Sequence, residues 1–157
     1  MNDAKQKGEI IVDFHAHIYP AKIADKASHT IGEFYNTSMR FNGSSEKLLE
    51  SGREIGVKYY IVHSTATKPE QVEAINNYII GETQLHPEYI GFGTIHPDYE
   101  NFEEELHRIK NAGLKGVKLH PDFQKFMVDT PKMDPIYEVI AKLGMPVLAH
   151  AGDCRYD

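Results

Sequence analysis

Short apolar segments alternate along the chain with longer amphipathic stretches. Five apolar segments have the length of β-strands, at residues 10–14, 58–63, 89–95, 114–119 and 145–150. The stretches between them place apolar residues at helical spacing, as Val72, Ile75 and Ile79 illustrate. A glycine closes three of these stretches just before the next strand, which is typical of a helix end. The pattern predicts an α/β fold in which helices cover a parallel sheet.

Two parts of the chain depart from this alternation. Residues 20–43 form a longer insert after the first strand, and their mixture of Ser, Thr, Asn and aromatic residues predicts an irregular loop over a site. Residues 1–9 are polar and predict a disordered N-terminus, without the apolar segment of a secretory signal. No linker divides residues 10–157, which are therefore interpreted as one unit.

Histidine occurs at or next to the end of every predicted strand. His15 and His17 follow the first predicted strand. Each of the other four strands ends at or just before one histidine, in order His63, His96, His120 and His150. Because the carboxyl ends of parallel strands meet at one rim of the sheet, these side chains are expected to lie together. The other histidines lie on the insert or on predicted helices and are interpreted as solvated surface residues: His29, His86 and His107.

The segment DFHAH indicates a metal site. On a strand, Asp13, His15 and His17 point to the same face, and two imidazoles at a strand exit can bind one ion. The alternative is that both histidines are polar strand-end residues, hydrogen-bonded to neighbours. His150 is favoured as a further ligand because small residues follow it and leave room at the rim. Asp13 lies deeper in the sheet and is expected to orient a histidine or Lys118.

Four other rim residues carry less specific signals. His96 and His120 each precede a proline that fixes a turn, so anchoring of a loop is as well supported as contact with a substrate. His63 is interpreted in the same way. Lys118 shares the strand face of His120, and burial of its charge requires a partner. An ion pair or a bound substrate carboxylate is favoured over carboxylation of the lysine, which would bridge two metal ions.

The length, composition, net charge and cysteine count limit the classes of function that the chain can have. The chain has 157 residues, 41% of them hydrophobic, and a net charge of −6. These values suit one globular domain and argue against a nucleic-acid or acidic-membrane partner. No segment has the apolar length that a membrane span requires. The single cysteine, Cys154, excludes an internal disulfide and fits a reducing compartment, so a cytoplasmic location is expected.

Four motifs in order resemble the amidohydrolase superfamily, in particular its amidohydrolase-2 branch: DFHAHIYP, GFGTIHPD, LKGVKLHPDFQ and MPVLAHAGD. The resemblance implies a (β/α)8 TIM-barrel fold with a divalent metal, most often zinc, at the carboxyl rim of the strands. It also implies that His15, His17 and His150 are the metal ligands that this chain supplies.

The family pattern continues beyond the last residue of the chain. It includes a histidine after the sixth strand and an aspartate after the eighth, and neither has a counterpart here. The expectation is therefore a partial barrel of five β/α units within residues 10–157, truncated after the fifth strand. Such a chain is a truncated or split product, or one whose barrel a second copy or another chain completes.

The function that the resemblance implies is hydrolysis of a small-molecule amide, lactone or ester by a metal-activated water. His120 is expected to stabilise the oxyanion, and Lys118 to bind a carboxylate of the substrate. Decarboxylation of a carboxylic acid, aromatic in some members, is an alternative on the same fold, and an inactive fragment is another. A phosphoesterase of the polymerase-and-histidinol-phosphatase type fits the motif spacing less well.

Overall fold

One sheet of five parallel strands organises residues 9–151, which are the residues that the computed structural model describes. The strands are β1 (Ile11–His17), β2 (Val57–His63), β3 (Tyr89–Thr94), β4 (Gly116–Leu119) and β5 (Val147–Ala149). Their order in the sheet is their order in the sequence, and each neighbouring pair is parallel. The predicted α/β class is confirmed. The predicted disordered N-terminus lies outside the described residues, except for Glu9.

Helices connect the strands. They are α1 (Ala21–Tyr35), α2 (Ser45–Ile55), α3 (Val72–Leu85), α4 (Phe102–Asn111), α5 (Pro121–Gln124) and α6 (Asp134–Lys142), with 3-10 turns at Pro69–Gln71 and Pro131–Met133. Gly56 ends α2 with a φ of 76°, a left-handed conformation that glycine adopts without strain. Within residues 9–151, none of the helices has both the length and the apolar character needed to cross a membrane.

The sheet curls into half of a barrel. In a flat sheet, β1 and β4 would lie three strand spacings apart, which is about 14 Å. The Nζ atom of Lys118 on β4 nevertheless lies 3.4 Å from Nε2 of His15 on β1. The two strands therefore face each other across a concave surface. This curled sheet corresponds to the first five β/α units of the barrel that the sequence predicts.

The hydrophobic core lies between the outer face of the sheet and the helices. Ile79 of α3, Ile109 of α4 and Ile140 of α6 are almost completely buried there. β1 differs, because Val12 and Phe14 on its outer face are 41% and 60% exposed. In the described residues β1 and β5 are also the open edges of the sheet. The helices thus cover the middle of the sheet and leave apolar surface at β1.

The insert after β1 was predicted to be an irregular loop, and this prediction is wrong for residues 21–35. Helix α1 starts directly after Pro20 and ends at Asn36, which has a left-handed φ of 49°. Its sequence, AKIADKASHTIGEFY, is rich in the good helix formers Ala and Lys. Polar residues that suggested a loop, such as Thr30, lie on its exposed face. The insert does reach the rim, through Tyr35 at the end of α1.

The contact between α2 and β2 requires a glycine, which gives a stability prediction. A Cβ atom on Gly52 would lie 1.8 Å from the hydroxyl oxygen of Tyr60, a side chain that is only 2% exposed. Gly52→Ala is therefore expected to lower the free energy of unfolding by about 1–3 kcal/mol through overpacking. The matched control is Gly81→Ala in α3, where a Cβ would meet nothing within 4 Å.

Gly81→Ala is expected to raise the free energy of unfolding by about 0.5–1 kcal/mol, because alanine loses less backbone entropy than glycine in a helix. Urea denaturation of both variants measures the difference. Equal effects at the two positions would contradict the close packing of α2 on Tyr60.

Candidate metal centre

The strand exits bring the predicted rim residues together, as the sequence suggests. His15 and His17 come from β1, His63 from β2 and Lys118 from β4. His120 and His150 follow β4 and β5 directly. These groups are close enough that the charges of Lys118, His15, His120 and His150 all act on the pKa of His17.

His15 and His17 form the centre of this rim. Their Nε2 atoms lie 3.3 Å apart, within hydrogen-bond distance. Two imidazole nitrogens bound to one tetrahedral zinc ion at about 2.0–2.1 Å are themselves about 3.3–3.4 Å apart. The spacing of the pair therefore fits two ligands of one metal ion.

His63 lies beside this pair and was not predicted as a ligand. It is the register partner of His17 in the parallel ladder of β1 and β2. Its ring centroid lies 4.4 Å from that of His17 and 4.8 Å from that of His15. Within residues 9–151, His15, His17 and His63 are the one group whose potential ligand atoms all lie within 4.8 Å of one another. The sequence signal was the histidine at the β2 exit, but only the register places it next to His17.

The three histidines are neutral at neutral pH. Burial lowers the pKa of His17 to about 3, and the nearby Lys118 and His15 lower it further. Burial is also the main cause of the lowered pKa values of His15 and His63. Since the neutral imidazole is the form that binds a metal ion, no proton competes for these nitrogens near pH 7.

Lys118 is completely buried at the floor of the rim. Burial lowers the pKa of its ammonium group to about 8. Among the described residues no carboxylate lies within ion-pair distance of Nζ, and its recorded polar neighbour is Nε2 of His15 at 3.4 Å. The described residues therefore do not provide the ion-pair partner that the sequence led us to expect for Lys118.

Tyr35 connects the two histidines on the β4–β5 side of the rim. Its hydroxyl lies 3.1 Å from Nε2 of His120 and 3.2 Å from Nε2 of His150. The two imidazoles stack with their centroids 4.1 Å apart, and Phe123 stacks on the other face of His120 at 3.8 Å. This side of the rim is therefore an aromatic wall built by α1, β4 and β5. No sequence signal pointed to Tyr35, which lies 85 residues before His120.

The rim opens into a cleft of about 540 Å³. Its lining includes rim histidines and several aromatic side chains, among them Tyr19, Tyr35, Phe41, His120, Phe123 and His150. A second depression of about 570 Å³ runs along α1 and contains none of the rim histidines. The first cleft is therefore the candidate substrate site.

The remaining predictions for polar residues have mixed outcomes. His96 anchors its loop, since its Nδ1 accepts a hydrogen bond from the backbone N–H of Asp98 at 3.1 Å. Asp13 accepts from the backbone N–H of His15 at 3.0 Å, so its recorded hydrogen bond goes to the backbone of His15 and not to its imidazole. His29 and His107 are exposed on helices, as predicted.

The chain matches a known family. The family model described as Amidohydrolase (Amidohydro_2) covers residues 12–157 of the chain. The chain belongs to the amidohydrolase family. The search of the curated proteins found no match to this chain.

Solved structures show the same fold. A probable 2-pyrone-4,6-dicarboxylic acid hydrolase from Acinetobacter baumannii is 16% identical, with a TM-score of 0.60 over 91% of this chain and 50% of that chain. A putative amidohydrolase from Staphylococcus aureus is 17% identical, with a TM-score of 0.66 over 92% of this chain and 48% of that chain. A dihydroxybenzoic acid decarboxylase from Polaromonas sp. JS666, which has bound manganese and the inhibitor 2-nitroresorcinol, is 13% identical, with a TM-score of 0.65 over 93% and 50% of the respective chains. The chain thus spans about half the length of these structures.

Proposed function

We propose that this protein is a metal-dependent hydrolase that acts on an amide, lactone or ester carbonyl. The observation that supports it is the pair of neutral imidazoles, His15 and His17, whose Nε2 atoms lie 3.3 Å apart at the strand exits. The family model over residues 12–157 adds that the chain has the scaffold of such enzymes. Zinc is the proposed ion, since imidazole nitrogens at this spacing suit it.

The bound metal would supply an activated water and would polarise the carbonyl. His15 and His17 hold the ion in this proposal, and the resemblance assigns the third nitrogen to His150. Lys118 at the floor binds an anionic group of the substrate.

His120 faces the carbonyl oxygen in this proposal. Its Nδ1 accepts a hydrogen bond from the backbone N–H of Phe123 at 3.4 Å, and burial lowers its pKa to about 3. The neutral ring therefore carries its proton on Nε2, which can donate to a developing oxyanion. This Nε2 atom lies 3.1 Å from the hydroxyl oxygen of Tyr35.

Decarboxylation of an aromatic carboxylic acid is the second candidate function. The observation that favours it is the buried Lys118, next to a cleft with an aromatic wall formed by Tyr35, His120 and Phe123. An ammonium group at the floor fits a carboxylate, and stacked rings fit a planar ring. Both this reaction and hydrolysis use the same metal centre in the proposal.

Strands from a second copy or from another chain are proposed to complete the barrel. Exposed apolar residues on β1, such as Phe14 at 60%, support this because they lie where a barrel strand is normally covered. Sedimentation analysis of the zinc-loaded chain gives the assembly state.

A turnover assay on the zinc- or manganese-loaded chain tests the function. Ester, lactone and amide hydrolysis are followed by acid release, and decarboxylation of hydroxybenzoic acids by release of carbon dioxide. His17→Ala is expected to lower the metal-dependent rate at least about 100-fold, because the ion loses a ligand. His107→Ala, at an exposed position in α4, is the matched control and should retain the rate. A rate that His17→Ala leaves unchanged, or phosphate-ester hydrolysis alone, would contradict the proposal.

A further inference from the structure

A series of hydrogen bonds leads from the His17 imidazole into the interior of the fold. The hydroxyl oxygen of Tyr19 lies 3.3 Å from Nδ1 of His17. A side-chain hydrogen bond joins Tyr19 to Ser64, and the Ser64 hydroxyl lies 2.8 Å from the carbonyl oxygen of Ile18. Ser64 is only 4% exposed, so its hydroxyl bonds to protein groups and not to bulk water.

The direction of these hydrogen bonds follows from the one group that cannot donate. A carbonyl oxygen only accepts, so the single proton of the Ser64 hydroxyl goes to Ile18. The Ser64 oxygen then accepts the proton of the Tyr19 hydroxyl. The Tyr19 oxygen is left to accept from Nδ1 of His17. The neutral ring of His17 therefore carries its proton on Nδ1 and a lone pair on Nε2.

The surrounding backbone holds Tyr19 in this position. Its N–H donates to the carbonyl oxygen of Gly43 at 2.9 Å. Gly43 has a left-handed φ of 75°, and a Cβ atom there would lie 2.9 Å from Cδ2 of the Tyr19 ring. The Tyr19 ring is also nearly parallel to that of His17, at an interplanar angle of 21°. These contacts place the hydroxyl at Nδ1 without the help of a metal ion.

We propose that Tyr19 is a positioning residue that, together with Ser64, keeps His17 in the tautomer that binds the metal ion. The inference rests on the proposed function, because it concerns the same ion and its ligand His17. The opposite tautomer would place a proton on Nε2, which lies 3.3 Å from Nε2 of His15, and the two ligands would then bond to each other. That proton would have to leave before the ion could bind. Tyr19 removes this competition by accepting the proton of His17 at Nδ1.

The tautomer of His17 can be measured in the metal-free chain. With ¹⁵N-labelled histidine at neutral pH, the ring resonances distinguish a protonated nitrogen from one that carries a lone pair. The wild type is expected to carry the His17 proton on Nδ1. Tyr19→Phe keeps the ring and removes the hydroxyl, so it is expected to shift the population towards protonation of Nε2. In competition with a chromophoric chelator, the same variant should bind zinc about 10–100-fold more weakly.

Two further variants separate this role from packing. Ser64→Ala keeps the Tyr19 hydroxyl but removes its acceptor, so the Tyr19 proton can turn to Nδ1 and His17 is expected to shift in the same direction. Tyr89→Phe is the matched control, because Tyr89 also shares a hydrogen bond with a serine, Ser45, at 2.8 Å, but that pair links α2 to the start of β3. It should retain both the tautomer of His17 and the zinc affinity of the wild type.

A proton on Nε2 of His17 in the wild type, or a tautomer that Tyr19→Phe leaves unchanged, would overturn the inference. Zinc binding by His15→Ala/His17→Ala distinguishes that result from a failure of the proposed function. If the double variant loses zinc, the function stands without the role of Tyr19. If the double variant still binds zinc, the proposed function fails as well.

Discussion

Gln124→Leu is expected to lower the free energy of unfolding by on the order of 3–6 kcal/mol, because three buried backbone groups lose their hydrogen-bond partner. The side-chain amide of Gln124 donates to the carbonyl oxygens of Ala66 at 3.0 Å and Ile95 at 2.6 Å. Its carbonyl oxygen accepts from the backbone N–H of His120 at 2.8 Å. One buried side chain therefore ties together the loops that follow β2, β3 and β4.

The matched control for this variant is Gln71→Leu. The Gln71 side chain also accepts two hydrogen bonds, from the backbone N–H and the hydroxyl of Thr67. Thr67 is exposed, so water replaces the lost partner and the change should stay within about 1 kcal/mol. Urea denaturation measures both variants. Similar losses at the two positions would contradict the role of Gln124 as the link between the three loops.

Asn76→Asp is expected to lower the free energy of unfolding by about 3–5 kcal/mol, although the side chain keeps its shape. The Nδ2 group of Asn76 donates to the Thr94 carbonyl at 3.0 Å and to a carboxylate oxygen of Glu105 at 2.6 Å. An introduced carboxylate would place a negative oxygen against both acceptors in a site that is 0% exposed. The backbone N–H of Thr94 would keep its bond to the remaining side-chain oxygen, but the Thr94 carbonyl at the end of β3 would lose its donor.

The neighbouring Asn77→Asp is the control for Asn76→Asp. Asn77 lies on the same helix but is exposed, so the change should stay within about 0.5 kcal/mol. The loss in Asn76→Asp should shrink as pH falls, because burial and the Glu105 charge raise the pKa of the introduced carboxyl, which then takes up a proton and regains a donor. A loss independent of pH would contradict the like-charge explanation.

The strands and their rim were predictable from local features of the sequence. Apolar runs of strand length, helical spacing between them and glycines at helix ends specify a parallel α/β sheet, and the structure has strands at all five predicted positions. The location of His15 and His120 at the same rim then follows from parallel pairing alone, since parallel strands end at the same edge of the sheet. The strands and their shared rim could be predicted without knowing any tertiary contact between side chains.

The parts that were not predictable depend on tertiary contacts. His63 lies beside His17 because of the register between β1 and β2, which the motif YIVHST does not show. Tyr35 reaches the rim only because residues expected to form a loop fold as α1. Gln124 stands two residues past a proline–aspartate pair, where the sequence indicates a turn but not the three loops that it joins.

The most direct test of the histidine metal centre is the zinc K-edge X-ray absorption spectrum of the chain loaded with one equivalent of zinc. The expected result is one tightly bound zinc ion with imidazole nitrogens in its coordination shell at about 2.0–2.1 Å. A chain that takes up no stoichiometric zinc, or a spectrum without imidazole scattering, would contradict the metal centre at the strand exits.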